Sequence, residues 1–177
     1  EYTFHVKAKN FHDVETAFGG NAVDSTACFS NSNLMLAGWN LISIPSTVAD
    51  LSRTVVFPTS TSNAFAYEGS YVPYNSLTYG NGYWLKFNGS QKVDIAGDPR
   101  ILDSITVKKG WQIIGSISAS VPVGSITTVP GGIIVSQIYS YNGVYNNASS
   151  IEPMQGYWVK TSSAGKIILS GTVSAVP

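Results

Sequence analysis

Between residues 2 and 8 apolar side chains take every second position: Tyr2, Phe4, Val6 and Ala8 alternate with Thr3, His5 and Lys7. A period of two places one kind of side chain on each face of an extended chain, so this segment predicts an amphipathic strand. Further on, the apolar and β-branched residues come in short runs bounded by Gly, Pro, Asn or Ser, and each run reads as a strand. Helical periodicity is missing. Segments 47–57 and 121–129 have room for one helical turn each, which the first places at residues 48–51. No strand–helix–strand alternation occurs, which excludes a parallel α/β sheet.

The runs repeat. Gly38-Trp39-Asn40-Leu41-Ile42-Ser43-Ile44 returns as Gly110-Trp111-Gln112-Ile113-Ile114-Gly115-Ser116, an offset of 72. An insertion near Gly131-Gly132 moves the offset to 74. Beyond it Phe65-Ala66-Tyr67 matches Tyr139-Ser140-Tyr141, Gly82-Tyr83-Trp84-Leu85-Lys86 matches Gly156-Tyr157-Trp158-Val159-Lys160, and Lys92-Val93-Asp94-Ile95 matches Lys166-Ile167-Ile168-Leu169. Blocks in one order with one small insertion mark a duplication. Asn142-Gly143 predicts a hairpin closed by a type I′ turn, with Glu68-Gly69 as its weaker counterpart.

These observations predict an all-β chain: two tandem repeats of about five short strands each, forming a pseudo-twofold sandwich or flattened barrel behind an N-terminal strand arm. Residues 1–32 form the arm, 33–104 the first repeat and 105–177 the second, the two repeats sharing one core. The arm strand (Tyr2, Phe4, Val6, Ala8) has two open fates: to complete its own sheet, or to fill a neighbouring subunit's edge as an assembly strand.

The repeated pairing of Gly-Trp-Asn-Leu-Ile-Ser-Ile-Pro, starting at Gly38, with Gly-Tyr-Trp-Leu-Lys, starting at Gly82, resembles a duplicated module of secreted and surface proteins of bacteria and some archaea. The resemblance covers residues 33–171. It implies an extracellular location and a structural or adhesive, non-enzymatic role, and it supplies no binding residues.

Composition narrows the function. Only 11% of the 177 residues are charged and the formal net charge is zero, so there is no basic stripe for nucleic acid and little repulsion between copies. No apolar run is long enough to span a membrane. The chain opens on Glu1 in place of Met, which suggests a signal segment removed on export. Cys28 is the single cysteine, so an internal disulfide is impossible and the choice lies between a buried thiol and a bridge between chains.

The only histidines, His5 and His12, lie in the arm, and no spacing suits a metal, a cofactor or a nucleophilic triad. Paired carboxylates remain as catalytic material, but Glu68, Asp94 and Glu152 align with Asn142, Ile168 and Thr78 in the other repeat. The aromatics, in contrast, repeat. Trp84, Trp158, Tyr71 and Tyr145 are candidate stacking residues, with cross-strand packing as the other use of the same side chains. The expected function is a non-catalytic extracellular structural or adhesive subunit that assembles through its N-terminal strand, with copies of itself or other surface proteins as partners. The alternative is a carbohydrate-binding module that stacks glycans on Trp and Tyr.

Overall fold

The computed structural model describes residues 29–173, together with the backbone of two strands nearer the N-terminus. These strands, β1 (Tyr2–Phe4) and β2 (Ala22–Asp24), pair antiparallel with each other. The rest of the expected assembly strand (Val6, Ala8) lies outside the described residues, as do both histidines and Cys28.

The first repeat contains β3 (Ser30–Met35), β4 (Gly38–Ile42), β5 (Ser46–Thr47), the helical turn α1 (Arg53–Val56), β6 (Ala64–Tyr67), β7 (Tyr71–Tyr74), β8 (Tyr83–Phe87) and β9 (Gln91–Ala96). After β10 (Asp98–Pro99), which pairs with β5, comes the second. It holds β11 (Leu102–Val107), β12 (Gly110–Ile114), β13 (Val121–Pro122), β14 (Thr127–Val129), β15 (Tyr139–Tyr141), β16 (Tyr145–Asn147), β17 (Ser150–Ile151), β18 (Tyr157–Thr161) and β19 (Gly165–Ser170). Each repeat builds a four-stranded antiparallel sheet of one topology, β4-β8-β6-β7 in the first and β12-β18-β15-β16 in the second. A smaller sheet packs on each: β3-β9 in the first, β11-β19-β14 in the second. The chain is all-β and sandwich-like, and among the described residues no sheet closes into a barrel. The structural repeats start at Ser30 and Leu102, slightly ahead of the sequence-based boundaries, because the Ser and Asn positions of β3 hide its strand character.

Two local expectations need correction. The helical turn of segment 47–57 falls at Arg53–Val56, not at residues 48–51. The earlier residues are committed elsewhere: Val48 donates its N–H to the Tyr79 hydroxyl at 3.0 Å, and the Leu51 carbonyl accepts the Leu77 N–H at 2.9 Å. Both expected hairpins form, but with three-residue loops. Gly143 (φ 99°) and Gly69 (φ 89°) alone take positive φ there, and the Asn142 N–H donates to the Val144 carbonyl at 3.2 Å.

Buried apolar side chains fall into two clusters, one in each repeat, in place of a single pool. Met154 is the exception, a second-repeat residue fully buried in the first repeat's cluster. It also has the one positive φ among the described non-glycine residues, 67°. Its counterpart, Gly80, has φ 76°. The left-handed backbone is therefore kept in both copies, and burial of the Met154 side chain offsets its conformational cost.

The repeats join through hydrogen bonds that come in pseudo-twofold pairs. The Ser43 N–H donates to the Met154 carbonyl at 3.0 Å, and its equivalent, the Gly115 N–H, donates to Gly80 at 2.7 Å. Gly156 N–H to Leu41 carbonyl (2.9 Å) is matched by Gly82 N–H to Ile113 carbonyl (3.2 Å). Gly82 and Gly156 face each other on the axis. A Cβ on Gly82 would lie 2.7 Å from the Ile114 carbonyl oxygen and 3.2 Å from the Gly156 Cα; one on Gly156 would lie 2.9 Å from the Ile42 carbonyl oxygen. Ser46 and Ser118, equivalent and both buried, meet nearby with hydroxyls 3.1 Å apart.

Gly82→Ala and Gly156→Ala should therefore each cost about 1–3 kcal/mol of stability in urea unfolding, the range for overpacking. Gly124→Ala, where a Cβ meets open space, should unfold near the wild-type midpoint.

Candidate functional site

The Gly-Tyr-Trp motif divides its labour among its three residues. Glycine permits the junction just described. Tyr83 and Tyr157 point inward, 1% exposed, and their hydroxyls accept the N–H groups of Thr78 (3.0 Å) and Glu152 (2.7 Å), fastening the loops that lead into β8 and β18. Burial, with the nearby Glu152 carboxylate adding to it, pushes the Tyr157 phenol up to about 12 against the opposing Glu152 N–H bond. Trp84 and Trp158 come next and must point to the other face, since alternation along a strand is strict.

That outer face turns toward the opposite repeat. Trp84 meets Tyr141 edge-to-face, with centroids 4.7 Å apart, and Trp158 meets Tyr67 at 4.8 Å. Around these crossed pairs stand Trp39 against Phe65 (5.9 Å) and Trp111 against Tyr139 (6.1 Å). Tyr71 leans on Tyr67 and Tyr145 on Tyr141. The result is two aromatic clefts flanking the pseudo-twofold axis. One, of about 500 Å³, is lined by Trp39, Phe65, Tyr71, Trp84, Tyr141 and Tyr145. The other, of about 450 Å³, is lined by Tyr67, Trp111, Tyr139, Tyr145 and Trp158.

All four stacking candidates line these clefts. Tyr71 and Tyr145 are 54% and 56% exposed and form the rims, while Trp84 and Trp158 are half-buried floors. The most exposed indoles are Trp39 and Trp111, at 43% and 42%, which the sequence reading left out of the site. They were detectable as the first tryptophan of each repeat. Their cross-strand neighbours Lys86 and Lys160 share the sheet's outer face, and Lys160 Nζ stands 5.9 Å from the Trp111 ring. No charged side chain lines either cleft.

The polar groups available are tyrosine hydroxyls and indole N–H groups. The Trp84 N–H is buried without a protein acceptor, and the Trp158 N–H leans on the Tyr145 hydroxyl without closing a hydrogen bond. Burial holds the Tyr145 phenol above the ordinary tyrosine value, and the facing Tyr71 adds to this.

The carboxylates are dispersed. Asp103 pairs with Arg100 at 2.6 Å, Glu68 accepts from the Tyr74 hydroxyl, Glu152 from Ser120 and Ser150, and Asp94 pairs with Lys92 at 3.2 Å. None lines an aromatic cleft. Among the described residues no group of three His, Cys, Asp or Glu is placed to hold a metal ion, and no helix is long and apolar enough to cross a membrane. No protein-family model, curated protein or solved structure matches the chain.

Tyr71→Phe should lower the pKa of Tyr145, because it removes the facing phenol, while leaving it above an ordinary tyrosine, because burial remains. An NMR titration of tyrosine ring carbons reads this directly; an unchanged Tyr145 would mean that the Tyr71 phenol does not act on it.

Proposed function

We propose that this chain is a non-catalytic extracellular module that adheres to neutral carbohydrate through its paired aromatic clefts. The observation that supports it is the conjunction of accessible Trp39, Trp111, Tyr71 and Tyr145 with a lining free of charge. Aromatic faces attract the C–H faces of pyranose rings, while tyrosine hydroxyls at the rim exchange hydrogen bonds with ring hydroxyls. The volumes suit a short stretch of sugar chain. The rings are steeply inclined to one another, 63° for Trp39 and Phe65 and 78° for Trp84 and Tyr141, so they form walled slots and not a flat platform. Slots favour a single chain or a branch end over a crystalline polysaccharide face.

A structural subunit that assembles through its N-terminal strand is the second reading. It draws on the strand conformation of Tyr2–Phe4, whose partner within the chain is Ala22–Asp24; assembly by exchange would have to release that pairing.

Glycan-array screening followed by tryptophan fluorescence tests the carbohydrate reading. A neutral glycan should shift the emission, and Trp39→Ala and Trp111→Ala should each weaken binding at least tenfold while leaving the unfolding midpoint near wild type. A chain that binds no neutral glycan, or whose binding survives both substitutions together, contradicts it.

A further inference from the structure

The two small sheets break the pseudo-symmetry. In the second repeat β19 is flanked on both sides, by β11 and by β14. In the first repeat β9 pairs with β3, and among the described residues nothing pairs with its other edge. The chain stretch equivalent to β14 includes Val55 and Val56, which belong to α1, and Phe57, which is buried in the core, so no third strand forms there.

The hydrogen-bonding direction of this edge follows from one contact. The Gly97 N–H donates to the Phe29 carbonyl at 3.0 Å, extending the β3–β9 ladder by one pair. Directions alternate along an antiparallel strand. Gly97, Ile95 and Val93 therefore face β3, whereas Ala96, Asp94 and Lys92 direct their N–H and C=O groups to the open side. The second repeat has the same phase. The Gly171 N–H donates to the Ile101 carbonyl at 2.9 Å, and the residues of β19 that then face outward, Ile168 and Lys166, are those opposite Thr127 and Val129 of β14.

We infer that the β9 edge is a self-association surface, on which a second copy of this chain adds its own β9 antiparallel to form a continuous β3-β9-β9-β3 sheet. The chemistry that selects a second copy is the order of charge. Lys92 and Asp94, an ion pair at 3.2 Å, are both exposed on one face of β9. Charged side chains on an edge ordinarily deter pairing with foreign strands. A twofold copy centred on Val93, however, sets Lys92 opposite the partner's Asp94 and Asp94 opposite the partner's Lys92. It does so with both residues in the outward-facing phase. Moving the register by one step of two residues sets Asp94 against Asp94 or Lys92 against Lys92, which like-charge repulsion disfavours. The charge pattern thus fixes partner and register together, and the zero net charge leaves little long-range repulsion to oppose it. This surface is independent of the aromatic clefts and of the carbohydrate reading.

Sedimentation velocity of the full chain, taken to millimolar concentration, tests the inference with two single variants and their mixture. Wild type should show a concentration-dependent monomer–dimer equilibrium. Lys92→Glu and Asp94→Lys should each weaken dimerisation about tenfold or more, since each replaces two attractive cross-strand pairs by two repulsive ones. An equimolar mixture of the two variants should dimerise like wild type. In the mixed pair the two introduced charges are opposite in sign and face each other, while the native Asp94 of one chain meets the native Lys92 of the other. Wild type that stays monomeric throughout would overturn the proposal. So would single variants that dimerise as wild type does, or a mixture that fails to recover.

Discussion

The aromatic face of this molecule depends on how closely two glycines approach on the pseudo-twofold axis. Gly82 and Gly156 let the strands that follow them enter side by side, and four backbone hydrogen bonds lock the approach. A backbone junction of this kind is directional in a way that apolar packing is not. It fixes the rotation of β8 and β18 as well as their separation. Once that rotation is set, alternation sends Tyr83 and Tyr157 into their separate cores and Trp84 and Trp158 toward the opposite repeat. The aromatic clefts are thus a product of the junction: the crossed Trp84–Tyr141 and Trp158–Tyr67 pairs have no counterpart within a single repeat.

Duplication supplies the symmetry, and the departures from it are local. Gly80 and Met154 share a left-handed backbone, but the methionine fills space in the opposite core. Phe65 and Tyr139 occupy equivalent cleft walls and differ by one hydroxyl, so the two clefts are related without being identical. The largest departure is in the small sheets, where β14 has α1 as its counterpart and β9 is left with an open edge. A duplicated scaffold of this sort offers two similar clefts on one face and, among the described residues, a free edge on β9 that its equivalent β19 lacks.

Much of this was legible in the residues. The offsets of 72 and 74 place every principal strand of one repeat on its equivalent in the other, because pleated strands separated by short turns leave a spacing that folding preserves. Period two also indicated that Trp84 and Lys86 share a face, and in β8 both point away from the buried Tyr83, Leu85 and Phe87. What periodicity does not carry is the partner. It assigns a side chain to a face without saying what lies opposite, so it does not show that Tyr67 and Tyr141 meet the tryptophans of the other repeat or that Trp39 and Trp111 stand beside them. The helical turn falls later than expected for a related reason: Val48 and Leu51 spend their backbone groups on Tyr79 and Leu77, distant in sequence.

At the centre of the aromatic face, Trp84 and Trp158 pack on the tyrosine of the opposite repeat, Tyr141 and Tyr67, and not on the equivalent tyrosine of their own. Fluorine NMR of fluorotryptophan-labelled protein, recorded for Tyr141→Ala and Tyr67→Ala, tests this packing directly. Crossed packing predicts that Tyr141→Ala mainly moves the Trp84 resonance, and that Tyr67→Ala mainly moves that of Trp158. The reverse pattern, with each substitution perturbing the tryptophan of its own repeat and sparing the other, would contradict the junction described here.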